Sequence, residues 1–287
     1  MGKFDGVLLV SDFDNTLIYT EGALLAGTEI PPLSARNREA LECFMAGGGR
    51  FALATGRALA SILPFAPEVP MNAPGVVCNG AAIYDFAQGE YLVTSVLNEK
   101  SRERGQEILE RFPTMACEAY HIENTIHAVH PNAITYQHQH ITHVAVEVKP
   151  SLLDVPLPLG KLLFEDEAPV LHRLQEYLLA QPWAGEYELI YSARNLFEMT
   201  RRGANKGGMV RELARRLDVR PGNIYCVGDQ ANDIPMLAVA AQAFAPANCI
   251  GAVREFGATI VADAEHDALA EVVERLEERY RCVSPAP

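Results

Sequence analysis

Three stretches of this chain are written in one grammar. "GVLLVSDFDNT" (6–16), "RFALATGRALASIL" (50–63) and "NIYCVGDQANDIPMLAVA" (223–240) each open on a short apolar run, pass through a polar cluster and continue in a helical pattern. Strands buried on both faces read as continuous apolar runs rather than alternating ones. Strand, helix, strand in repetition predicts an α/β fold, a doubly wound Rossmann-like parallel sheet. Ligands of such sheets bind at the carboxyl ends of the strands, and all three polar clusters fall there. A helix fits "SARNREALECFMAGG", with Ser34 as N-cap and Gly47 as its stop.

From 96 to 200 the pattern changes. Strand-like pieces ("NTIHAVH", "THVAVEV", "GEYELIYS", "NLFEMT") accompany two helix candidates, "KSRERGQEILERF" and "APVLHRLQEYLLA". Prolines in "VPLPLGKLLF" put that strand at a sheet edge or at its own start. The segment reads as an inserted α+β unit, and the sheet domain resumes at "GANKGGMVRELARRL". The expected division is 1–95 and 201–287 for the core and 96–200 for the insertion. The tail "RCVSPAP" reads as loose.

The polar clusters carry the chemistry. Side chains at i and i+2 of an extended chain point the same way, so Asp12 and Asp14 can share a site. Two carboxylates in one pocket repel, which calls for a proton on one or a cation bridging both. Asp229 and Asp233 raise the count to four, and hard oxygen donors of this kind suit Mg²⁺. Thr55 and Gly56 offer a hydroxyl and an open N–H where a helix begins, an anion-binding arrangement. Lys206, at the head of another helix, adds a point charge. Together these groups describe phosphoryl transfer, which is mostly positioning and charge stabilisation. An aspartate can itself attack phosphorus, splitting one hard displacement into two easier ones.

With these motifs in place, the sequence resembles the haloacid dehalogenase-like phosphatases, within them the Cof-type branch with an α/β cap. The resemblance covers nearly the whole chain, with "DFDNT" (Asp12 to Thr16), "ATGR", "NKGG" and "GDQANDIPML" (Gly228 to Leu237) in order. "VVCNGAAIYD" is similar to the branch's third strand, with Asn79-Gly80 entering the site. The resemblance implies Asp12 as nucleophile and Asp14 as the acid that protonates the leaving alkoxide and later deprotonates water. It implies Thr55 and Lys206 as holders of the phosphoryl group and Asn232 as a phosphate contact. Mg²⁺ would sit on Asp12, the backbone carbonyl of Asp14 and Asp229, with Asp233 in support. Two positions depart from the family pattern. Asn15 replaces the commoner Gly, and Asn tolerates the left-handed backbone; Gln230 stands where Gly or Ser is frequent.

Bulk properties narrow the partners. Apolar residues at 49% and charged residues at 21% suit a globular chain. A net charge of −13 argues against nonspecific nucleic-acid binding and against an anionic membrane surface. It does not argue against a small anionic substrate, because a metal or lysine inverts the local field. Six scattered cysteines without a Cys-x-x-Cys pair suggest a reducing compartment, with Cys78 and Cys226 as core filling. "MGKFDG" lacks a signal-peptide pattern and no apolar run approaches the roughly 20 residues of a spanning helix, so a cytoplasmic protein is expected.

The insertion's histidines, His121, His127, His130, His138, His140 and His143, raise a metal-site alternative. "QHQH" would put His138 and His140 on one face of a strand, but no further ligand spacing accompanies it. A solvated or substrate-facing role is expected instead. "FEDEAP" reads as a solvated helix start. The sequence thus points to a Mg²⁺-dependent phosphomonoester hydrolase for a small phosphorylated metabolite, a sugar phosphate in the first instance. A phosphomutase using the same phosphoenzyme is one rival. A phospho-acceptor signalling module is another, though it needs neither so large a cap nor a second aspartate.

Overall fold

The computed structural model describes residues 2–26, 28–122 and 125–281. The continuous apolar runs form a parallel sheet. Strands β1 (Leu8–Ser11), β2 (Arg50–Leu53), β12 (Ile224–Val227), β13 (Gln242–Pro246) and β14 (Thr259–Val261) pair in the order β14-β13-β12-β1-β2. Strand β3 (Gly75–Val77) extends this sheet past β2 through a parallel bridge between Ala54 and Val76. It then pairs antiparallel with β4 (Ala82–Asp85), which carries β5 (Glu90–Thr94). From β1 the chain runs outward to β2 and β3, then later returns to β12 on the other side. Strand order reverses between β1 and β12, which opens a crevice beyond their carboxyl ends. Asp12 and Asp229 follow those two ends.

Two helical layers bury the sheet. On one face α2 (Ala35–Ala46) and α10 (Ala268–Arg281) pack Leu41, Phe44, Leu269 and Leu276 against Leu9, Phe51 and Tyr225. On the other, α7 (Lys206–Arg216), α8 (Ile234–Leu237) and α9 (Gly251–Phe256) pack Val210, Leu213, Met236 and Val253 against Leu8, Val10 and Cys226. The Ser34 hydroxyl accepts the Asn37 N–H and Gly47 follows the last turn, as the sequence of α2 predicts. Short helices α1 (Glu21–Ala26) and α3 (Leu59–Ile62) follow the first two polar clusters. Among the described residues no helix is long and apolar enough to cross a membrane.

A second sheet contains β6 (Ala116–His121), β7 (Ile126–Val129), β8 (Glu147–Lys149), β9 (Leu159–Glu165), β10 (Tyr187–Ala193) and β11 (Leu196–Arg201). Their order is β10-β11-β9-β6-β7-β8, antiparallel except between β7 and β8. Helices α4 (Lys100–Arg111) and α6 (Ala168–Leu179) cover one face, packing Ile108, Leu171 and Leu174 on Cys117, Leu162, Phe164 and Phe197. The period of two places Glu118, Tyr120, Lys161, Leu163, Glu165 and Glu198 on the opposite face. Register aligns them in rows, with Tyr120 opposite Lys161 and Leu163 opposite both Glu118 and Glu198. Helix α5 (Ala133–Thr142) packs beside that face, its Thr135 hydroxyl donating to Glu165.

Several local expectations change in this second sheet. Strand β9 starts directly after Pro158 but lies at the sheet's centre, between β11 and β6, not at an edge. Of "THVAVEV", only Glu147 and Val148 lie in a strand, β8, and Thr142 ends α5, a helix capped by the Asn132 side chain. His138 and His140 therefore lie on a helix, about 200° apart rather than on one face. "FEDEAP" does precede a helix, but Glu165 is 0% exposed and Asp166 6%, since β9 runs on through Glu165. His127 is buried in β7 rather than solvated. Cys226 fills the core, whereas Cys78 is half-buried in the turn after β3. The tail from 282 onward lies outside the described residues.

Candidate active site

Asp12 is the first residue past β1. Its N–H donates to the Val227 carbonyl (3.0 Å), which ties it across the switch point to β12. Lys206 opens α7, is 1% exposed, and donates to Asp12 Oδ1 (2.7 Å) and Asp233 Oδ1 (2.6 Å). The second oxygen of Asp233 accepts the backbone N–H groups of Asp229 and Gln230, both at 2.9 Å. Asp229 accepts from the Thr16 hydroxyl (2.9 Å) and from Gln230 Nε2 (3.2 Å), which gives the unusual Gln230 its contact.

Oxygens of Asp12, Asp229 and Asp233 lie within 4.8 Å of one another. One ammonium thus faces three buried carboxylates. Burial, opposed by Lys206 and reinforced by Asp233 and Asp229, pushes Asp12 well above the usual carboxylate range. Burial and the Asp233 charge push Asp229 up to about 7. Burial opposes the charge on Lys206, but Asp12 and Asp233 outweigh it and raise its pKa. The cluster is short of positive charge and offers only hard oxygen donors. It fits a divalent cation.

Asp14 stands apart from that cluster. Arg57 grips its carboxylate with both Nε (2.8 Å) and Nη2 (2.6 Å), and the Thr20 hydroxyl adds a bond at 2.9 Å. Burial works against the Asp14 charge, but Arg57 prevails and holds the carboxyl below its ordinary range. The repulsion between the paired aspartates is therefore relieved by two separate cations, Lys206 and Arg57. Burial and the Asp233, Asp229 and Asp14 charges still keep Asp12 raised despite Lys206, so the proton or cation that the sequence calls for has its place at Asp12. Asn15 turns the backbone at φ 54°, the left-handed conformation that Asn tolerates, and the chain beyond it returns Thr20 to the Asp14 carboxylate. Arg57 lies against the rings of Phe13 and Phe65, at 5.1 and 5.2 Å. Its place in "ATGR", right after a strand-end Thr-Gly, is the signal that could have found it.

Thr55 is fully buried in a turn, not at a helix start, since α3 begins only at Leu59. Its hydroxyl accepts the Arg57 N–H (3.0 Å) and its own N–H donates to Val76 (2.9 Å). Gly56 lies against Asn79: a Cβ there would sit 3.1 Å from both amide atoms. Asn79, at φ 53°, donates from Nδ2 to Glu198 Oε1 (2.8 Å) and accepts on Oδ1 from Asn232 Nδ2 (2.9 Å). Lys161 donates to the same Glu198 oxygen at 3.1 Å.

A cavity of about 600 Å³ lies between the two sheets, walled by Asp12, Asp14, Gly56, Arg57 and Asn232 on one side and by Tyr120, His138, Lys161, Arg194 and Glu198 on the other. Thr55, Asn79, Lys206, Asp229 and Asp233 support this wall from behind. His138 Nδ1 lies 3.0 Å from Glu118 and 3.3 Å from Glu165. Burial opposes a charge on that ring, but the two carboxylates raise its pKa to about 9. The donor atoms of these three residues also fall within 4.8 Å, a grouping assembled from three elements that no sequence spacing shows.

A doubly wound sheet with paired aspartates at its switch point, a buried lysine between carboxylates and a roof made by a second sheet defines a capped α/β phosphatase. The chain belongs to the haloacid dehalogenase-like hydrolases, whose family profile matches residues 9–273, and to their Cof-type branch. YxeH of Bacillus subtilis (strain 168) is 25% identical over 260 residues, 86% of this chain and 90% of that protein. The pyridoxal phosphate phosphatase YbhA of Escherichia coli (strain K12) is 23% identical over 296 residues, covering 93% and 97%. A haloacid dehalogenase-like hydrolase from Bacteroides thetaiotaomicron shares the fold with a TM-score of 0.75 at 24% identity, over 94% of this chain and 99% of that one. A subclass IIB sugar phosphatase of the same superfamily does so with a TM-score of 0.79 at 19% identity, over 94% and 99%.

Proposed function

We propose that this phosphatase hydrolyses a small phosphorylated metabolite, a sugar phosphate in the first instance, with Mg²⁺ as its cofactor and Asp12 as its nucleophile. The observation that carries this reading is the division of labour between the aspartates on one cavity wall. Lys206 occupies Oδ1 of Asp12, which leaves Oδ2 to attack phosphorus. Asp14 lines the same cavity; Arg57 holds it ionised here, so it takes up a proton as substrate displaces that grip and then serves as the acid. As the Asp12–phosphorus bond forms, the ester bond breaks and Asp14 gives a proton to the leaving alkoxide. Water then attacks phosphorus, Asp14 takes its proton, and Asp12 is released. Lys206, Thr55, Gly56 and Asn232 hold the phosphoryl group through this sequence. Asp12, the Asp14 carbonyl and Asp229 would hold Mg²⁺, with Asp233 in support. The ion would neutralise the charge on the transferring group.

We assign catalysis to 1–95 with 201–287, and leaving-group selection to 96–200. The assay is phosphate release from a panel of phosphorylated metabolites, with intact-mass measurement after an acid quench. Chelation is expected to abolish activity, and Mg²⁺ but not Ca²⁺ to restore it. Asp14→Asn, fed an activated aryl phosphate, should gain one phosphoryl group, and Asp12→Asn none. An adduct in the Asp12→Asn protein would overturn the mechanism.

A further inference from the structure

Four buried side chains form a line from the second sheet to the cavity floor. Lys161 and Asn79 both donate to one oxygen of Glu198, at 3.1 and 2.8 Å, and Asn232 donates to Asn79 at 2.9 Å. Glu198 is 3% exposed, Asn79 2% and Asn232 7%. A carboxylate at one end imposes a direction on this line, because an ionised carboxylate can only accept. Asn79 must therefore turn its NH₂ toward Glu198, which leaves its carbonyl oxygen facing Asn232. Asn232 must answer with its own NH₂. Reversing either amide would set oxygen against oxygen or nitrogen against nitrogen.

One atom shows the cost of this order. Asn232 Oδ1 is buried without a partner, an arrangement that an amide free to rotate would avoid. An amide nitrogen has two hydrogens. Asn232 spends one on Asn79, and it lines the cavity beside Asp12 with the other available.

We infer that Glu198 is a positioning residue: acting through Asn79, it orients the Asn232 amide so that an N–H, not an oxygen, faces the phosphoryl group. This rests on the phosphatase reading above and adds to it a residue supplied by the roof of the site. Lys161 pairs with the same Glu198 oxygen that Asn79 uses, so the pair places no net charge near the phosphate. Gly56 leaves room for the Asn79 amide to lie flat against the turn. Lys161 and Glu198 belong to the second sheet, Asn79 and Asn232 to turns that follow β3 and β12, so the phosphate contact is completed only when the second sheet meets those turns.

The test is a double-mutant cycle read by KM, kcat and the inhibition constant of inorganic phosphate. Glu198→Gln keeps the shape but can present NH₂ to Asn79, which allows the line to reverse. It should weaken phosphate inhibition and raise KM by roughly tenfold, within the coupling range of residues sharing one network. Asn232→Ala should do the same, and the double variant should be no worse than Asn232→Ala alone. Asn79→Gly keeps the left-handed turn and leaves the Glu198–Lys161 pair intact. It should reproduce the loss, which separates orientation from a fold damaged by an unpaired Lys161. Multiplying losses in the double variant, or unchanged phosphate inhibition in Asn79→Gly, would overturn the inference. Failure of the phosphatase reading looks different: the unaltered protein would release no phosphate from any ester.

Discussion

Lys206 and His138 are both cations held by pairs of carboxylates, and the pairing decides what each substitution does. Removing Lys206 strips the ammonium from Asp12 and leaves two buried carboxylates without it, so fold and chemistry suffer together. Lys206→Ala is expected to lower turnover by roughly 10²–10³, the scale of one lost electrostatic stabiliser. It should also lose about 3–5 kcal/mol of stability, as when one partner of a buried pair is removed. Steady-state kinetics and denaturant unfolding measure the two. A twofold change in turnover would remove Lys206 from the phosphate site. His138 has a folded pKa of about 9 against an ordinary 6.5. Its stabilisation is fully present below about pH 6.5 and is lost as pH rises through about 9. The melting temperature should therefore fall between pH 7 and 9.5, and fall less in His138→Gln. Equal slopes in the two proteins would show that the ring is uncharged at pH 7.

Among the elements, α7 and α8 are locked together at a point with no room for a side chain. A Cβ on Gly207 would lie 2.0 Å from the Pro235 carbonyl oxygen, backbone against backbone. Gly207→Ala must push apart the helix carrying Lys206 and the turn carrying Asp233. Overpacking of this kind costs about 1–3 kcal/mol, and turnover should drop with it. Gly222→Ala is the control, since a Cβ there meets nothing within 4 Å. Thermal unfolding of the two variants, compared with turnover, reads this directly. If Gly207→Ala melts like Gly222→Ala, the contact does not constrain the site. At this scale much was legible. The cap and stop of α2 follow from Ser34 and Gly47, and the three polar clusters do lie at strand ends. Helix α5 was not legible, because "NAITYQHQH" has β-branched and aromatic residues where a helix former would be expected. Its Asn132 cap and its packing on β6 and β9 outweigh that weak propensity.

The molecule as a whole has separate interiors. The two clusters flanking the parallel sheet contain no residue from 96–200, and the cluster under α4 and α6 contains none from outside it. A smaller cluster joins Ala58 and Cys78 to Tyr120, Ile126, Leu163 and Leu196 at the cavity roof. Replacing 96–200 by a short linker should therefore leave a core that unfolds cooperatively and still cleaves small aryl phosphates, with its preference among metabolites lost. Circular dichroism melting and a substrate panel check this. A truncated chain that does not fold would refute the proposed boundary.

The sequence by itself determined the parallel sheet, the placement of Asp12, Thr55 and Asp229 at its ends, and thus the class of chemistry. Those features are local: an apolar run must be buried, and the polar residue that ends it must lie at the sheet's rim. Tertiary structure alone decided the partners. Arg57 reaches Asp14 from 43 residues away, and Asn79 meets Glu198 from 119. Glu118, His138 and Glu165 come from two strands and a helix. A charge two residues from another can be given its own counterion only once a turn and a sheet register have brought that counterion near. No spacing along the chain encodes that distance, because it is set by how separate elements pack.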